Sequence, residues 1–131
     1  IPLDEAQSSI TTSSYRVAEG GMEYVNIYSV RSSARLLEAM QGKMIRIGTS
    51  LDAKKKVSDL ASLSKGDKGD SPLLVVLGNE ENGISDVVKK NCDELVIIPW
   101  AGMSDGVEES CIDSLNVAQA SSIIFYEMMK K

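Results

Sequence analysis

The chain has 131 residues, of which 43% are hydrophobic and 25% are charged, and its formal net charge is −5 at pH 7. This length suits one domain with a single core, and no apolar run reaches the roughly 20 residues that span a bilayer. The acidic balance argues against a generic nucleic-acid binder, whose affinity depends on Lys and Arg, and we expect no binding to DNA. The chain has no histidine and only two cysteines, which excludes Ser-His-Asp and Cys-His catalysis and argues against a structural zinc site, so no metal is expected. We therefore expect a soluble intracellular protein with reduced cysteines, in the cytoplasm, the nucleolus or a mitochondrion.

The first third of the chain is predicted to alternate helix, strand and helix. A helix is expected at residues 9–19, because a Gly-Gly pair follows it. The segment Tyr24–Tyr28 alternates strand-forming residues and predicts a short strand. The stretch SSARLLEAMQG has a Ser cap, strong helix formers and a closing Gly, so it predicts a helix at about 32–41.

The middle of the chain is predicted to contain one strand and a long surface loop. Met44–Thr49 alternates again and predicts a strand. From Ser50 to Ser71 the sequence is polar and ends in KGDKGDSP, which is typical of an exposed loop. Within that loop, one helical turn is expected near Val57–Leu63.

The last part of the chain completes an α/β pattern. Strands are predicted at Leu73–Leu77 and Glu94–Ile98, with a short amphipathic helix at Ile84–Asn91 between them. An acidic loop at 99–113 precedes a helix at about 115–129. This last helix is apolar nearly all round, which predicts burial on more than one side, in the core and at a subunit interface. The alternation of strands and helices predicts a parallel sheet.

The stretch LLVVLGNEENG, residues 73–83, is where we expect a binding site. It is typical of a buried strand that ends in a polar turn, and open α/β sheets bind ligands just beyond the carboxyl ends of such strands. Gly78 and Gly83 have the spacing of a phosphate-binding loop, but Ile and Ser follow where that loop requires Lys and Ser or Thr. The turn therefore indicates a neutral or cationic ligand such as a nucleoside, unless Asn79 and Glu80 only cap the next helix.

The chain also contains three ordered motifs: LGNEENGIS, CDELVIIP and DSLNVAQASSIIFYEMM. Together they resemble the second and third motifs of the SpoU/TrmH family of RNA ribose 2′-O-methyltransferases, which belongs to the α/β-knot (SPOUT) superfamily. RVAEGGMEYV resembles the helix that leads into the third strand of that family. The resemblance spans essentially the whole chain. It implies a parallel sheet flanked by helices, a C-terminal trefoil knot, and S-adenosylmethionine bound in the knot mainly by main-chain groups of three loops.

The resemblance also implies site residues, position by position. Those that would bind the cofactor are Thr49, Gly78, Ile98, Leu115 and Asn116. Those implied in catalysis are Asn79 and Glu80, which would orient the methionine end of the cofactor and the ribose, and Ser114 and Asn116, which would hold the loop and the substrate near the methyl group. The reaction is attack of a ribose 2′-hydroxyl on the sulfonium methyl group, and it depends on positioning two reactants and removing one proton.

The family's first motif, an Asn…Gly…Arg stretch whose arginine is proposed to activate the ribose hydroxyl, is missing from this sequence. We therefore expect a single SpoU-type domain over residues 1–131 that lacks its N-terminal strand–helix unit and belongs to a longer chain. The resemblance implies RNA (rRNA or tRNA) as partner and a homodimer. Two alternatives remain open: a non-catalytic SPOUT-like module for RNA–protein assembly or dimerisation, and an unrelated nucleotide-binding α/β domain.

Overall fold

A computed structural model of the chain describes residues 1–3, 10–66, 69–79, 82–99 and 115–130. These residues form two compact units, Ile1–Leu36 and Leu37–Lys131. The cavity described below lies entirely within the second unit.

The first helix of the N-terminal unit, α1, covers Thr12–Val17 and is shorter than the predicted helix at 9–19. It begins late because Thr11 and Ser14 form a capping box, in which the backbone N–H of Ser14 donates to the Thr11 hydroxyl and the backbone N–H of Thr11 donates to the Ser14 hydroxyl. It ends early because Glu19 and Gly20 adopt positive φ angles of 46° and 85°. A short 3₁₀ helix, Gly21–Tyr24, follows.

The predicted strand at Tyr24–Tyr28 is wrong. Among the described residues, the pairing nearest to this segment is the isolated bridge between Pro2 and Val30, which lies just beyond it, and Tyr24 is 90% exposed. Aromatic and β-branched residues favour strands because they fit a pleated, half-buried surface. Among the described residues no strand pairs with this segment, so its alternating pattern has nothing to pack against.

The four-stranded sheet of the second unit is parallel throughout, as predicted. Its strands are β1 (Ile45–Thr49), β2 (Lys55–Lys56), β5 (Leu73–Val76) and β6 (Glu94–Ile97), in the spatial order β2-β6-β1-β5. Three of the four were predicted. Strand β2 was missed because two lysines on an edge strand carry no apolar alternation.

The predicted loop at Ser50–Ser71 is wrong in most of its length. Besides β2 it holds a 3₁₀ helix at Val57–Asp59, the helix α3 at Leu60–Leu63, and a hairpin of β3 (Lys65–Gly66) and β4 (Gly69–Asp70). The helical turn expected near Val57–Leu63 is confirmed. Leu60 is fully buried and Val57 is nearly so. These two apolar residues anchor the otherwise polar segment to the core.

The remaining helices are α2 (Ser33–Met40), α4 (Asp86–Lys90) and α5 (Val117–Met129), close to the predicted positions. Both faces of the sheet are covered. Ile47 and Val96 pack with Leu60 and Ile124 of the helices on one face. On the other face, Leu37, Ile84 and Val88 form a second buried cluster with Leu74, Val76 and Leu95. Strand residues buried on both faces explain why these strands are continuous apolar runs.

Helix α5 buries only part of its surface within this chain. Ile124 is buried in the core and Ile123 and Met128 pack beside it. The predicted place of α5 in the core is therefore confirmed, and its predicted place at a subunit interface stays a prediction. Four apolar or aromatic side chains of α5 remain exposed among the described residues: Val117, Phe125, Tyr126 and Met129.

Several predicted features fall at residues 100–114, outside the described residues. They include most of the acidic loop at 99–113 and the chain path that a trefoil knot requires, so the knot remains a prediction. Within the described ranges, no helix is both long enough and apolar enough to cross a bilayer.

Candidate functional site

A cavity of about 340 Å³ lies at the carboxyl ends of β1, β5 and β6 and is closed on one side by the start of α5. Its wall includes five residues singled out from the sequence: Thr49, Gly78, Asn79, Ile98 and Leu115. They come from four separate segments of the sequence, and the three segments at strand ends meet because parallel strands end at the same edge of a sheet. The fold therefore brings most of the predicted cofactor residues to one place.

The turn after β5 is held closed by its own backbone. The N–H of Asn79 donates to the carbonyl of Gly83 over 2.9 Å, and the N–H of Gly83 donates back to the carbonyl of Asn79 over 2.8 Å. A Cβ atom on Gly78 would lie 2.5 Å from the carbonyl carbon of Gly83, so only glycine fits there. Gly83 itself has a φ of +65°. Gly78 thus shapes the cavity wall by letting two backbone segments touch.

Thr49 joins the ends of β1 and β5 through its hydroxyl group. The hydroxyl accepts a hydrogen bond from the backbone N–H of Gly78 at 3.3 Å and donates to the carbonyl of Val76 at 3.4 Å. A side chain that both accepts and donates across the strand ends fixes where the turn leaves the sheet. Thr49 therefore positions the Gly78 turn as well as lining the cavity.

The cavity walls are mostly aliphatic. Leu77, Ile98 and Leu115 are half-buried and face the cavity, while the floor is formed by the buried residues Val96 and Ile97. Ala120 of α5 also lines it, and its small side chain leaves the space open. A flat apolar ring with polar edges suits such a site, because the walls supply apolar contact and the strand ends supply main-chain groups.

Asn116 does not line the cavity; it caps α5. Its side-chain oxygen accepts a hydrogen bond from the N–H of Ala118 at 2.9 Å, which satisfies one free donor at the helix start. The structure thus places Asn116 beside the site, where it sets the direction of the helix that carries Leu115 and Ala120. Glu80 and Ser114 lie outside the described residues, so their predicted roles stay predictions.

Sequence reasoning missed the charged residues of this site. Lys89 and Asp52 both line the cavity, and their side chains form an ion pair with an Nζ–Oδ2 distance of 3.7 Å. Lys89 and Lys90 form a basic pair in the sequence, a pattern typical of a solvated surface, but of the two only Lys90 is exposed. Helical spacing offered a signal, since Lys89 lies one helical turn after Ser85, which follows the Gly83 turn by two residues. Across the described residues, no cluster of His, Cys, Asp or Glu could hold a metal ion.

Together these features define an α/β domain whose ligand site lies at the carboxyl edge of a parallel sheet. The model of the SpoU rRNA methylase family matches residues 1–126. The chain belongs to that family.

Relatives and solved structures agree with this assignment. The chain is 30% identical over 132 residues to the 23S rRNA (guanosine-2′-O-)-methyltransferase RlmB of Photobacterium profundum. This alignment covers the whole of this chain and 47% of that protein. It superposes on the SpoU methyltransferase AviRb of Streptomyces viridochromogenes with a TM-score of 0.68 and 26% identity, over 89% of this chain and 42% of AviRb. The complex of AviRb with the cofactor AdoMet gives a TM-score of 0.65 and 27% identity, over 88% of this chain and 40% of that one. The chain thus spans less than half the length of these proteins.

Proposed function

We propose that this chain is the S-adenosylmethionine-binding domain of an RNA ribose 2′-O-methyltransferase that acts on rRNA or tRNA. The observation that carries the proposal is the cavity at the ends of three parallel strands, because its wall contains four of the five residues that the family resemblance implies for the cofactor: Thr49, Gly78, Ile98 and Leu115. The names of the relatives support the same reaction. The match of one family model to residues 1–126 supports treating both units as parts of a single SpoU-type domain.

The cavity suits the proposed cofactor in size and chemistry. Its volume of about 340 Å³ is at the lower end of the roughly 300–1,000 Å³ common for small-molecule sites. Ile98 and Leu115 would pack against the two faces of the adenine ring. Main-chain groups beside Gly78 and Ile98 would hydrogen-bond its edges, since backbone donors and acceptors read a purine without any charged side chain.

When bound, S-adenosylmethionine supplies an electrophilic methyl group for the ribose 2′-hydroxyl. The work of this chain is to hold both reactants in line. Thr49 and Gly78 fix the turn that carries Asn79, and Asn116 fixes the start of α5 through its helix cap. We propose that Asn79 and Glu80 orient the ribose and the methionine end, and that Ser114 and Asn116 hold the loop beside the methyl group.

We also propose that the active protein is a homodimer formed through α5. Phe125 and Met129 are four residues apart on α5 and more than half exposed, beside the equally exposed Tyr126. Contiguous apolar surface of this kind on a helix marks an interaction site. Sedimentation velocity should give twice the monomer mass for the full chain, and Phe125→Ser with Met129→Ser should return it to the monomer mass. A wild-type monomer at micromolar concentration would remove this part of the proposal.

Two measurements on the full chain test the proposed function. Isothermal titration calorimetry should detect binding of S-adenosylhomocysteine, the product form of the cofactor. Incubation with methyl-labelled S-adenosylmethionine and unmodified rRNA or tRNA should place the label in 2′-O-methylnucleosides after complete nuclease digestion. A folded sample that gives no heat at millimolar ligand contradicts the proposal. Binding without any methyl transfer would favour the non-catalytic module instead.

A further inference from the structure

Asp52 and Lys89 are the two charged side chains among the described residues that line the cavity. The other described residues that line the cavity are neutral, so within the described part of the chain these two side chains are the ones that can meet a charge on a ligand. Asp52 follows the end of β1, and Lys89 belongs to α4, which starts just beyond the Gly83 turn. Two separate elements thus bring opposite charges to one part of the rim.

The ion pair is loose and can open at little cost. Its Nζ–Oδ2 distance of 3.7 Å exceeds hydrogen-bonding distance. The Asp52 side chain is 87% exposed, so water already solvates it, whereas the Lys89 side chain is only 30% exposed. Exposed pairs of this kind contribute little to folding stability. Both charged groups therefore remain available to a ligand.

Lys89 is the fixed member of the pair. Its backbone N–H donates to the carbonyl of Ser85 at 2.9 Å, and the preceding residue, Val88, is buried in the core. This anchoring sets the position of the Lys89 stem relative to the Gly78–Gly83 turn. A cation held in this way against a largely neutral cavity is suited to an oxyanion of the bound molecule.

We infer that Lys89 and Asp52 bind the α-amino-acid zwitterion of the cofactor. In this arrangement, the ammonium group of Lys89 donates to the α-carboxylate, and the Asp52 carboxylate accepts from the α-ammonium group. The two charges of an α-amino acid are attached to the same carbon, so they are as close together as the charges of this ion pair. Each group exchanges one opposite charge for another, and neither is left unpaired. The inference rests on the proposed function, since it assigns a role within the same site.

The matched ligands are S-adenosylhomocysteine and 5′-methylthioadenosine, which share the adenosine and the thioether but differ in the amino-acid group. The quantity to measure by calorimetry is the affinity of the full chain for S-adenosylhomocysteine divided by its affinity for 5′-methylthioadenosine. Lys89→Gln should reduce this ratio about tenfold, because it removes one charge-assisted hydrogen bond. Lys90→Gln is the control, because Lys90 is exposed on the same helix and does not line the cavity.

Asp52→Asn provides a second test with little risk to folding, because the Asp52 side chain is almost fully exposed. It should reduce the same affinity ratio about threefold, a smaller effect because solvent screens this carboxylate. The affinity for 5′-methylthioadenosine should stay unchanged in all three variants, which also verifies that the cavity is intact.

The inference is overturned if Lys89→Gln and Lys90→Gln give the same affinity ratio as the wild type. It is also overturned if Lys89→Gln leaves the ratio unchanged and instead weakens binding of unmodified rRNA, since Lys89 would then contact a phosphate. Both results leave the proposed function intact. A wild-type chain that binds neither nucleoside would remove the proposed function itself.

Discussion

The two ends of the parallel sheet have different tasks. At the amino end, Arg46 of β1 and Asp93, which precedes β6, join neighbouring strands by an ion pair and several hydrogen bonds. At the carboxyl end, the same strands spread around a cavity, and a single Thr49 hydroxyl bridges β1 and β5. Arg46 and Thr49 are three residues apart in one strand, so a short segment carries both a stabilising group and a site residue.

The amino end is tightly bonded. Arg46 is 6% exposed, and its Nε and backbone N–H both donate to one oxygen of Asp93, at 2.9 and 2.8 Å. Its Nη1 donates to the carbonyl of Leu37, and the N–H of Asp93 donates to the carbonyl of Arg46. By contrast, the carboxyl end leaves main-chain edges facing a cavity. We conclude that stability is concentrated away from the site, which lets the site keep open space and a glycine turn.

The largest effect should come from Gly78→Ala at the carboxyl end. The new methyl group would lie 2.5 Å from the Gly83 backbone and force the turn open. We expect the affinity for S-adenosylhomocysteine to fall at least about 100-fold, because a misplaced wall removes several contacts at once. Gly21→Ala is the control, since a Cβ there meets open space. Equal affinities for the two variants would contradict a role of this turn in binding.

Asp93→Asn should remove the ion pair at the amino end of the sheet and lower the stability of the fold without affecting the site. It leaves the buried Arg46 guanidinium without its counter-charge, and we expect the free energy of unfolding to fall by about 2 kcal/mol. Urea denaturation measures this change, and the exposed Asp86→Asn serves as control. Affinity for S-adenosylhomocysteine at a temperature where the variant is folded should stay within about twofold of the wild type. A large loss of affinity would show that the two ends are coupled.

Acidification should reproduce this loss. Hydrogen bonds from Arg46 hold the pKa of Asp93 below its ordinary value in the folded protein. A lowered folded pKa stabilises the fold above the unfolded pKa of about 3.9 and loses that contribution as the pH falls through the folded value. The stability difference between the wild type and Asp93→Asn should therefore be constant above about pH 5 and shrink below about pH 4. A difference that persists unchanged to pH 2 would contradict the pairing.

Thr49→Val, at the carboxyl end of the sheet, should weaken the binding of S-adenosylhomocysteine moderately. It keeps the shape of the side chain but removes the hydroxyl between Gly78 and Val76. One lost hydrogen bond of about 1 kcal/mol predicts roughly fivefold weaker binding of S-adenosylhomocysteine. Thr49→Ser keeps the hydroxyl and should bind within about twofold of the wild type. If serine and valine behave alike, the hydroxyl does not position the turn.

The smallest effect should come from Lys55→Met, which removes the ion pair between Lys55 of the edge strand β2 and Glu94 of its neighbour β6. Both side chains are more than a third exposed, so solvent screens the pair, and we expect a change below about 0.5 kcal/mol in the free energy of unfolding. A loss comparable to that of Asp93→Asn would show that stability is spread over the whole sheet.

The central strands could be predicted because each carries a local pattern of apolar residues. The cavity could be predicted because its residues lie in motifs that resemble those of a known family. The strand at Leu73–Leu77 is a continuous apolar run, and the turn after it carries its own glycines. The chain path then brings Thr49, Ile98 and Leu115 to the same edge. These contacts follow from the parallel order of the strands once the family resemblance is known.

Other features depend on partners that the sequence does not display. Strand β2 consists of two lysines and exists only because β6 pairs with it. Tyr24–Tyr28 has a strand pattern but no such neighbour among the described residues. The role of Lys89 depends on the direction in which α4 leaves the turn, and the pairing of Arg46 with Asp93 joins residues 47 positions apart. Tertiary context decided each of these cases.

The most direct test of the account is a titration of the isotopically labelled chain with S-adenosylhomocysteine, followed by the backbone amide resonances. The account predicts that the amides of Thr49, Gly78, Ile98 and Leu115 shift most, while those of Arg46 and Asp93 at the other end of the sheet stay unchanged. Saturating ligand that leaves the carboxyl-end amides unmoved, or that shifts a different surface, would contradict it.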